Sequence, residues 1–287
     1  MGEIRRVGVV GAGLMGSGIA EVCARAGLDV LVGEVSPQAV QAGQQRVMSS
    51  LDRAVRAGKI SETDSGAAMG GLRFTTDFGE FADRELIVEA VTEQEQAKVE
   101  VLAALDKIVV SREAIFASNT SSIPIMRLAM AISRAPQVIG IHFFNPVPRL
   151  QLVELIPSLA TSEETYWRAE AFVTVTLGKT AVRCRDRAGF VVNALLIPYL
   201  LSAIRMLESG FAGAEDIDNG MVLGCGHPMG PLRLSDLIGL DTVKAVAESM
   251  YAEFKEPLYA PPPLLLRMVD AGLLGRKSGR GFYDYTG

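Results

Sequence analysis

Short apolar runs alternate with segments of helical periodicity along the first part of the chain. Two such runs, Val7–Val10 and Val30–Val32, flank a helical segment that ends near Ala26. Two later runs have the length of buried strands, Glu85–Ala90 and Ala114–Ser118. Strands that alternate with helices predict an α/β fold with a doubly wound, mostly parallel sheet. The N-terminal part of the chain is therefore predicted to be a Rossmann-type domain.

The pattern changes after the middle of the chain. The run Val138–Phe144 is followed closely by the run Leu150–Ile156, which predicts a second strand returning beside the first. The alternation of strands and helices stops near Asp186, and only helical patterns follow. We expect two domains, a Rossmann-type domain at 1–186 and an all-α domain at 187–287.

Two long apolar helices dominate the predicted C-terminal domain. We expect them at Gly189–Glu208 and from a capping Asp241 to about Phe254. The most apolar stretch, Phe190–Ile204, is too short to span a bilayer and is better explained as a buried helix. Asn193 in its first turns needs a hydrogen-bond partner, either in a neighbouring loop or in a ligand crevice. The apolar surface of these helices exceeds what so small a domain can bury, which predicts a homodimer.

A glycine-rich turn joins the first strand to the first helix. Its first glycine permits a sharp turn, its second lets a pyrophosphate approach the backbone, and its third lets the helix lie close to the sheet. The helix N-terminus then meets the pyrophosphate. Glu34 ends the next strand, where a carboxylate can bind both ribose hydroxyls and repel a 2′-phosphate. The sequence therefore predicts NAD as cofactor, in contact with Gly11, Gly13, Leu14, Met15, Gly16 and Glu34.

The protein has only 2 histidines, and one of them lies in an apolar strand. His142 could be an ordinary core residue, but Glu154 interrupts the apolar run that follows it. A buried carboxylate is costly without a partner. Pairing across the two strands would let Glu154 fix the imidazole tautomer and stabilise the imidazolium ion. The pair predicts an oriented general base, whereas His227, in a turn, is given a structural role.

Polar residues also follow two of the predicted strands. Glu93 and Lys98 follow the strand Glu85–Ala90, so they either lie near a cofactor or are a helix-start carboxylate and a surface lysine. The segment Asn119–Ser122 either caps the next helix or supplies hydroxyl and amide groups where a carbonyl is polarised.

Two basic segments have alternative explanations. A helix that opens at Ser36-Pro37 carries Arg46, Arg53 and Arg56, and Lys59 follows it. This basic face is either solvated surface or the binding site for substrate phosphates. The glycine-rich loop 275–283 either folds over the cofactor or fastens the terminus.

Composition narrows the class of protein. A net charge of −5 argues against a nucleic-acid or anionic-membrane surface. The 3 cysteines are scattered, without the spacing of a disulfide framework or a zinc site, so reduced thiols, a cytoplasmic location and no metal are expected. No signal peptide or further catalytic module precedes the first strand, so we expect a single activity.

Eight motifs occur in an order that resembles, over essentially the full length, the short-chain L-3-hydroxyacyl-CoA dehydrogenases, including bacterial 3-hydroxybutyryl-CoA dehydrogenases. No single motif would suffice, but their joint occurrence is specific. They are GAGLMGSGIA at Gly11–Ala20, EAVTE at Glu89–Glu93, FASNTSS at Phe116–Ser122, HFFNPVP at His142–Pro148, LVELI at Leu152–Ile156, GFVVN at Gly189–Asn193, HPMGP at His227–Pro231 and GRKSGRGFYDY at Gly275–Tyr285.

The resemblance implies a role for individual residues. It makes His142 the general acid/base, Glu154 the residue that holds it, and Ser121 and Asn193 the contacts to the substrate oxygen, with Asn145 beside the site. It implies NAD contacts from Glu34, Glu93, Lys98 and Lys277, although Glu34 stands where the family usually has aspartate. It also implies that the helix ending near Lys59 holds the coenzyme A phosphates, with Arg53, Arg56 and Lys59 as the candidates.

The implied reaction is reversible oxidation of an L-3-hydroxyacyl-CoA to the 3-oxoacyl-CoA by NAD, a step of fatty acid metabolism such as β-oxidation. A dehydrogenase of free hydroxyacids typically varies the HFFNP segment, which is complete here. A 6-phosphogluconate-type enzyme would need a catalytic lysine that the Asn193 segment lacks. A non-catalytic NAD sensor would have no need of the four predicted catalytic residues together.

Overall fold

The computed structural model describes residues 3–286. The chain divides into two compact units, Met1–Asp186 and Arg187–Gly287. The first contains a mostly parallel sheet with helices and the second is helical, so the predicted fold class is confirmed. Within the described residues, no helix combines the length and the apolar character needed to cross a membrane.

One eight-stranded sheet forms the centre of the first unit. In chain order its strands are β1 (Arg6–Val10), β2 (Asp29–Gly33), β3 (Leu72–Thr75), β4 (Leu86–Glu89), β5 (Ile115–Ser118), β6 (Val138–Phe143), β7 (Leu152–Pro157) and β8 (Thr180–Arg183). Across the sheet they lie in the order β3-β2-β1-β4-β5-β6-β7-β8. Neighbouring strands are parallel except β6 and β7, which are antiparallel as the sequence predicted.

Helices cover this sheet and connect its strands. They are α1 (Leu14–Arg25), α2 (Pro37–Arg56), α3 (Glu62–Gly70), α4 (Glu95–Ile108), α5 (Ile125–Ala129) and α6 (Glu163–Ala171), with 3₁₀ turns at Phe78–Asp83 and Ala135–Gln137 and a π-helical turn at Phe172–Thr176. The start of α2 follows from its sequence, because the Ser36 side chain accepts from the Ala39 N–H and a proline stands at the first helical position.

The order of the strands in the sheet indicates where a ligand crevice lies. Every residue of β4, β5 and β6 is buried, as expected for parallel strands covered on both faces. The order in which strands are added reverses at β1: β2 lies on one side of it and β4 on the other, and both are parallel to it. Ligands of open α/β sheets bind at the carboxyl ends of the strands beside such a reversal.

The structure adds two strands that the hydrophobic pattern did not predict. β3 mixes buried and exposed residues, and β8 lies at the sheet edge with no residue fully buried. Short strands of mixed polarity lack the continuous apolar run that identified the central strands. β8 joins the sheet by its parallel pairing with β7, which is a long-range contact.

The second unit consists of five α-helices and two 3₁₀ turns within the described residues. They are α7 (Val192–Glu208), α8 (Ala214–Cys225), α9 (Pro231–Ile238), α10 (Leu240–Phe254) and α11 (Pro263–Asp270), with 3₁₀ turns at Pro257–Tyr259 and Arg276–Ser278.

Two helix starts differ from the prediction. α7 begins later than Gly189, because Gly189 and Phe190 have positive φ angles of 82° and 47°. The prediction that Asp241 caps α10 is wrong: the N-cap is Gly239, whose φ of 102° suits glycine. Asp241 lies in the first turn instead and forms an ion pair with Lys277.

Two buried carboxylates hold the C-terminal segment within the second unit. Asp236 accepts from the backbone N–H groups of Phe282 and Tyr283, both at 3.0 Å. The Tyr283 hydroxyl donates to Asp218 at 2.8 Å. These contacts support the interpretation that the C-terminal loop fastens the terminus.

Candidate active site

The glycine turn after β1 has the shape that a dinucleotide requires. Gly11 has a φ of 93°, and a Cβ there would lie 2.7 Å from the Ala90 carbonyl oxygen. At Gly16 a Cβ would lie 1.7 Å from the Gly11 oxygen, whereas at Gly13 nothing lies within 4 Å. Two positions therefore need glycine for the turn and for the close approach of α1, and the third faces open space where a pyrophosphate can approach the backbone.

A cleft of about 540 Å³ begins at this turn. Gly11, Gly13 and Glu34 line it together with residues that follow β4 and residues of α4. Glu34 keeps one carboxylate oxygen on the turn, where it accepts from the Ala12 N–H at 2.6 Å. An open glycine face and an acid at the end of β2 in one cleft fit the adenosine and pyrophosphate of NAD. Leu14 is 66% exposed and Met15 is half-buried, so both remain available to a bound cofactor.

The predicted histidine and glutamate lie directly opposite each other in the sheet. His142 in β6 is the register partner of Glu154 in β7. His142 Nδ1 lies 2.8 Å from Glu154 Oε2, and both side chains are buried. His142 Nε2 lies 3.0 Å from Ser121 Oγ. Since a carboxylate only accepts hydrogen bonds, Nδ1–H donates to Glu154, and Nε2 beside the Ser121 hydroxyl is the nitrogen that can take a proton.

The segment that carries Ser121 is held by Glu93. Glu93 Oε1 accepts from the Thr120 hydroxyl at 2.6 Å, from the Ser121 N–H at 2.8 Å and from the Ser122 N–H at 3.1 Å. Burial raises the pKa of Glu93, but Lys98 and these hydrogen bonds outweigh it and hold the pKa below its usual range. Glu93 is therefore a carboxylate that positions Ser121, and more than a helix-start residue.

Lys98 is buried and not a surface lysine. Its Nζ lies 2.8 Å from Glu89 Oε1 and 3.2 Å from Glu93 Oε2. Glu89 is fully buried at the end of β4 and also accepts from the Ser118 hydroxyl at 2.5 Å. Sequence reasoning did not select Glu89 as a site residue, although a glutamate that ends the apolar run of β4 is the same signal that identified Glu154.

A second cleft of about 450 Å³ lies between α1, α2 and the segment that follows His142. Asn145 and Arg53 line it, as does Arg46, whose guanidinium donates to the Ala12 oxygen at 2.9 Å. Arg56 and Lys59 are exposed and are not among its lining residues. Of the three basic candidates, therefore, only Arg53 lines the cleft, and Arg46 lines it as well. The reason is that only one face of α2 is turned toward the cleft.

Asn193 and Lys277 belong to the second unit. Asn193 lies in the first turn of α7 and is half-buried. Lys277 is exposed, and its Nζ is paired with Asp241.

Comparison with known proteins assigns both units to one family. The family model for the 3-hydroxyacyl-CoA dehydrogenase NAD binding domain matches residues 6–187, and the model for the C-terminal domain of the same enzymes matches residues 189–285. The chain belongs to the 3-hydroxyacyl-CoA dehydrogenase family. It is accordingly an NAD-dependent oxidoreductase, as the motifs implied.

Individual relatives agree along nearly the whole chain. The chain is 60% identical over 282 residues to a 3-hydroxybutyryl-CoA dehydrogenase of Mycobacterium tuberculosis, covering 98% of this chain and 99% of that protein. Among crystal structures, FadB2 of Mycobacterium tuberculosis is 59% identical with a TM-score of 0.98, over 99% of this chain and 100% of that one. The (S)-3-hydroxybutyryl-CoA dehydrogenase PaaH1 of Ralstonia eutropha is 47% identical with a TM-score of 0.94, over the same shares.

Proposed function

We propose that this member of the family oxidises L-3-hydroxybutyryl-CoA and related L-3-hydroxyacyl-CoA thioesters reversibly to the 3-oxoacyl-CoA. The observation that carries the proposal is the alignment of Glu154, His142 and Ser121, in which one imidazole nitrogen meets a buried carboxylate and the other meets a hydroxyl. The names of two of the relatives above, the 3-hydroxybutyryl-CoA dehydrogenases, support a four-carbon substrate.

His142 acts as the general base in the oxidation. Its Nε2 takes the proton from the C3 hydroxyl, and the same nitrogen returns it in the reverse direction. Glu154 stabilises the imidazolium ion that forms, since a carboxylate at hydrogen-bond distance favours the charged ring. Ser121 orients the substrate oxygen toward Nε2, and Asn193 is its second contact. Bound in the first cleft, NAD would supply the acceptor for the hydride of C3.

The cleft at the glycine turn holds NAD in this proposal. Glu34 would bind the adenosine ribose and the turn would bind the pyrophosphate. Glu93 and Lys98, which follow β4 and are paired with each other, are proposed as further contacts to NAD. Lys277 is a further proposed contact from the C-terminal loop.

The second cleft holds the coenzyme A arm. Asn145 borders it next to His142, and Arg53 is the favoured phosphate ligand because it lines the cleft. Arg56 and Lys59 are proposed as weaker contributors from the exposed end of the same helix and the turn after it. Two guanidiniums on one face of α2, Arg46 and Arg53, offer bidentate binding to phosphate.

The assignment of the two units belongs to the same proposal. Residues 1–186 form the NAD-binding domain, and residues 187–287 form a helical domain for substrate binding and dimerisation. A homodimer is supported by the exposed apolar side chains of the second unit, such as Leu195, Phe211 and Leu223 at 74%, 80% and 82% exposure. Sedimentation as a monomer at micromolar concentration would contradict the homodimer.

A cytoplasmic location is supported by the free thiols of Cys23, Cys184 and Cys225.

A spectrophotometric assay tests the activity. Purified protein is mixed with acetoacetyl-CoA and NADH, and the loss of NADH absorbance is followed, with acetoacetate and NADPH in parallel reactions. We expect rapid oxidation of NADH with acetoacetyl-CoA, and slow reactions when acetoacetate replaces the thioester or NADPH replaces NADH. No turnover of the thioester would refute the proposal, and turnover of free acetoacetate at a similar rate would favour a hydroxyacid dehydrogenase. Rates with longer 3-oxoacyl-CoA thioesters define the chain-length preference.

A further inference from the structure

A buried lysine lies behind the second cleft, outside the groups that react. Lys179 precedes β8 and is 8% exposed. Its Nζ donates to the backbone oxygens of Val147 at 2.9 Å and Leu150 at 2.7 Å. Burial lowers the pKa of Lys179, and the nearby charge of Arg25 lowers it further. The ammonium group thus meets two carbonyl oxygens where a carboxylate would be the usual partner of a buried cation.

Both carbonyls belong to one segment, Asn145–Leu150, which we call the wall loop. Inside the loop, the N–H groups of Arg149 and Leu150 donate to the Pro146 oxygen. Val147 is 2% exposed and packs against α1, where a Cβ added to Gly18 would lie 2.9 Å from its own Cβ. Contacts with Lys179 and with α1 therefore set where the loop lies.

The wall loop also borders the cleft assigned above to the coenzyme A arm. Asn145, Pro146, Val147 and Pro148 all line that cleft, opposite the face of α2 that carries Arg53. The loop follows directly on the strand of His142. A shift of the loop would change the width of the cleft without moving the glycine turn or Glu34.

We propose that Lys179 is a positioning residue that holds the wall loop at the distance from α1 and α2 at which the acyl-CoA arm binds. The inference rests on the proposed function, because it takes the second cleft as the acyl-CoA site. Lys179 touches neither the reacting atoms nor the NAD cleft, so its effect reaches the substrate through the loop alone.

The chemistry of the contact explains why a lysine is used here. An ammonium group has three donors and no acceptor, and donors that carry charge form stronger bonds to carbonyl oxygens than neutral donors do. An apolar side chain of the same length would leave the oxygens of Val147 and Leu150 buried without a donor. Those oxygens would then turn toward water, and the loop would move with them.

The first test is the substitution Lys179→Met, with Lys107→Met as the matched control. Lys107 is an exposed lysine in the last turn of α4, so its replacement removes the same charge without touching the loop. Steady-state kinetics with acetoacetyl-CoA and NADH separate the two substrates. We expect the KM for acetoacetyl-CoA to rise roughly tenfold or more in Lys179→Met, with the KM for NADH within about twofold of wild type.

The second test moves the loop from its other contact while Lys179 stays in place. Gly18→Ala inserts a methyl group against Val147, at a position that itself lines the second cleft, and alanine is the better helix former, so α1 persists. We expect the same selective rise in the KM for acetoacetyl-CoA. In the double variant with Lys179→Met the two effects should be less than additive, because both act on one loop. If Lys179→Met does not fold, Lys179→Gln, which keeps a neutral donor on a shorter side chain, takes its place in both tests, with the same selective rise expected.

The outcomes separate this inference from the function on which it rests. A wild-type protein inactive on acetoacetyl-CoA overturns the proposed function. An active wild type overturns the positioning role if the Lys179 variant keeps its KM for acetoacetyl-CoA within about twofold, if its effect and that of Gly18→Ala are fully additive, or if the KM for NADH rises as much as that for the thioester.

Discussion

Replacement of Glu154 by glutamine tests the central feature of the site. Glu154→Gln keeps the size of the side chain and an acceptor for His142 Nδ1, but removes the negative charge 2.8 Å away from it. Charge centres about 4 Å apart attract each other by about 4 kcal/mol at an effective dielectric constant of about 20. That attraction favours the imidazolium ion and is absent for the neutral ring. If the whole of this attraction stabilises the transition state, its loss slows the reaction by about 10³-fold.

We therefore expect kcat to fall by roughly 10²–10³-fold, within the range that positioned proton transfer supplies. The KM for NADH should stay within about twofold, because Glu154 lies in β7, away from the glycine turn and Glu34. Steady-state reduction of acetoacetyl-CoA measures both constants. Glu163→Gln is the matched control, since Glu163 makes only a surface ion pair with Arg183, at 2.9 Å with 67% of its side chain exposed. A kcat for Glu154→Gln within about threefold of wild type would refute the pairing.

Three further predictions follow from the clefts and the charges around them. Glu34→Ser should raise the ratio of kcat/KM for NADPH to that for NADH by about tenfold or more, since it removes the charge that repels a 2′-phosphate; an unchanged ratio would contradict the role of Glu34. Arg53→Ala should raise the KM for acetoacetyl-CoA about fivefold, and Arg56→Ala should raise it less, because Arg53 lines the second cleft and Arg56 does not; the reverse order in steady-state kinetics would show that the phosphates lie elsewhere. The pKa of Glu93 lies below its ordinary 4.5 in the folded protein, so its stabilising effect is complete above about pH 4.5 and is lost as the pH falls through the lowered pKa. Thermal unfolding should accordingly show a Tm difference between wild type and Glu93→Gln near neutral pH that disappears in acid, and a difference independent of pH would be evidence against the contacts of Glu93.

Much of the site could be predicted because its signals are local or anomalous. The glycine turn depends on neighbouring residues, so its spacing alone indicated both the turn and its ligand. Glu154 was recognisable because a carboxylate in an apolar strand must have a partner. The two strands that carry His142 and Glu154 are close in the chain, and their antiparallel pairing was the simplest arrangement of two adjacent apolar runs.

Other parts were hidden because their contacts join distant segments. Lys179 is an ordinary polar residue in sequence, and its burial becomes evident only when it meets the wall loop. Glu89 ends an apolar run, but its partners Lys98 and Ser118 are evident only in the structure. Arg53 and Arg56 share a helix, but which of them faces a cleft depends on how α2 packs against α1. The predicted start of α10 was wrong because its N-cap is Gly239, which has a positive φ angle. A glycine has no side chain that would identify it as a cap in the sequence.

The sequence by itself determined the fold class and the cofactor turn, and it predicted the pairing of His142 with Glu154. Each of these follows from short-range constraints, namely hydrophobic periodicity, the φ angles open to glycine and the cost of an unpaired buried charge. Only the tertiary structure decided which polar side chains are buried, which cation lines a cleft and which carbonyls a lysine holds. Those properties depend on the packing of segments that are far apart in the chain, and a single sequence carries no direct record of that packing.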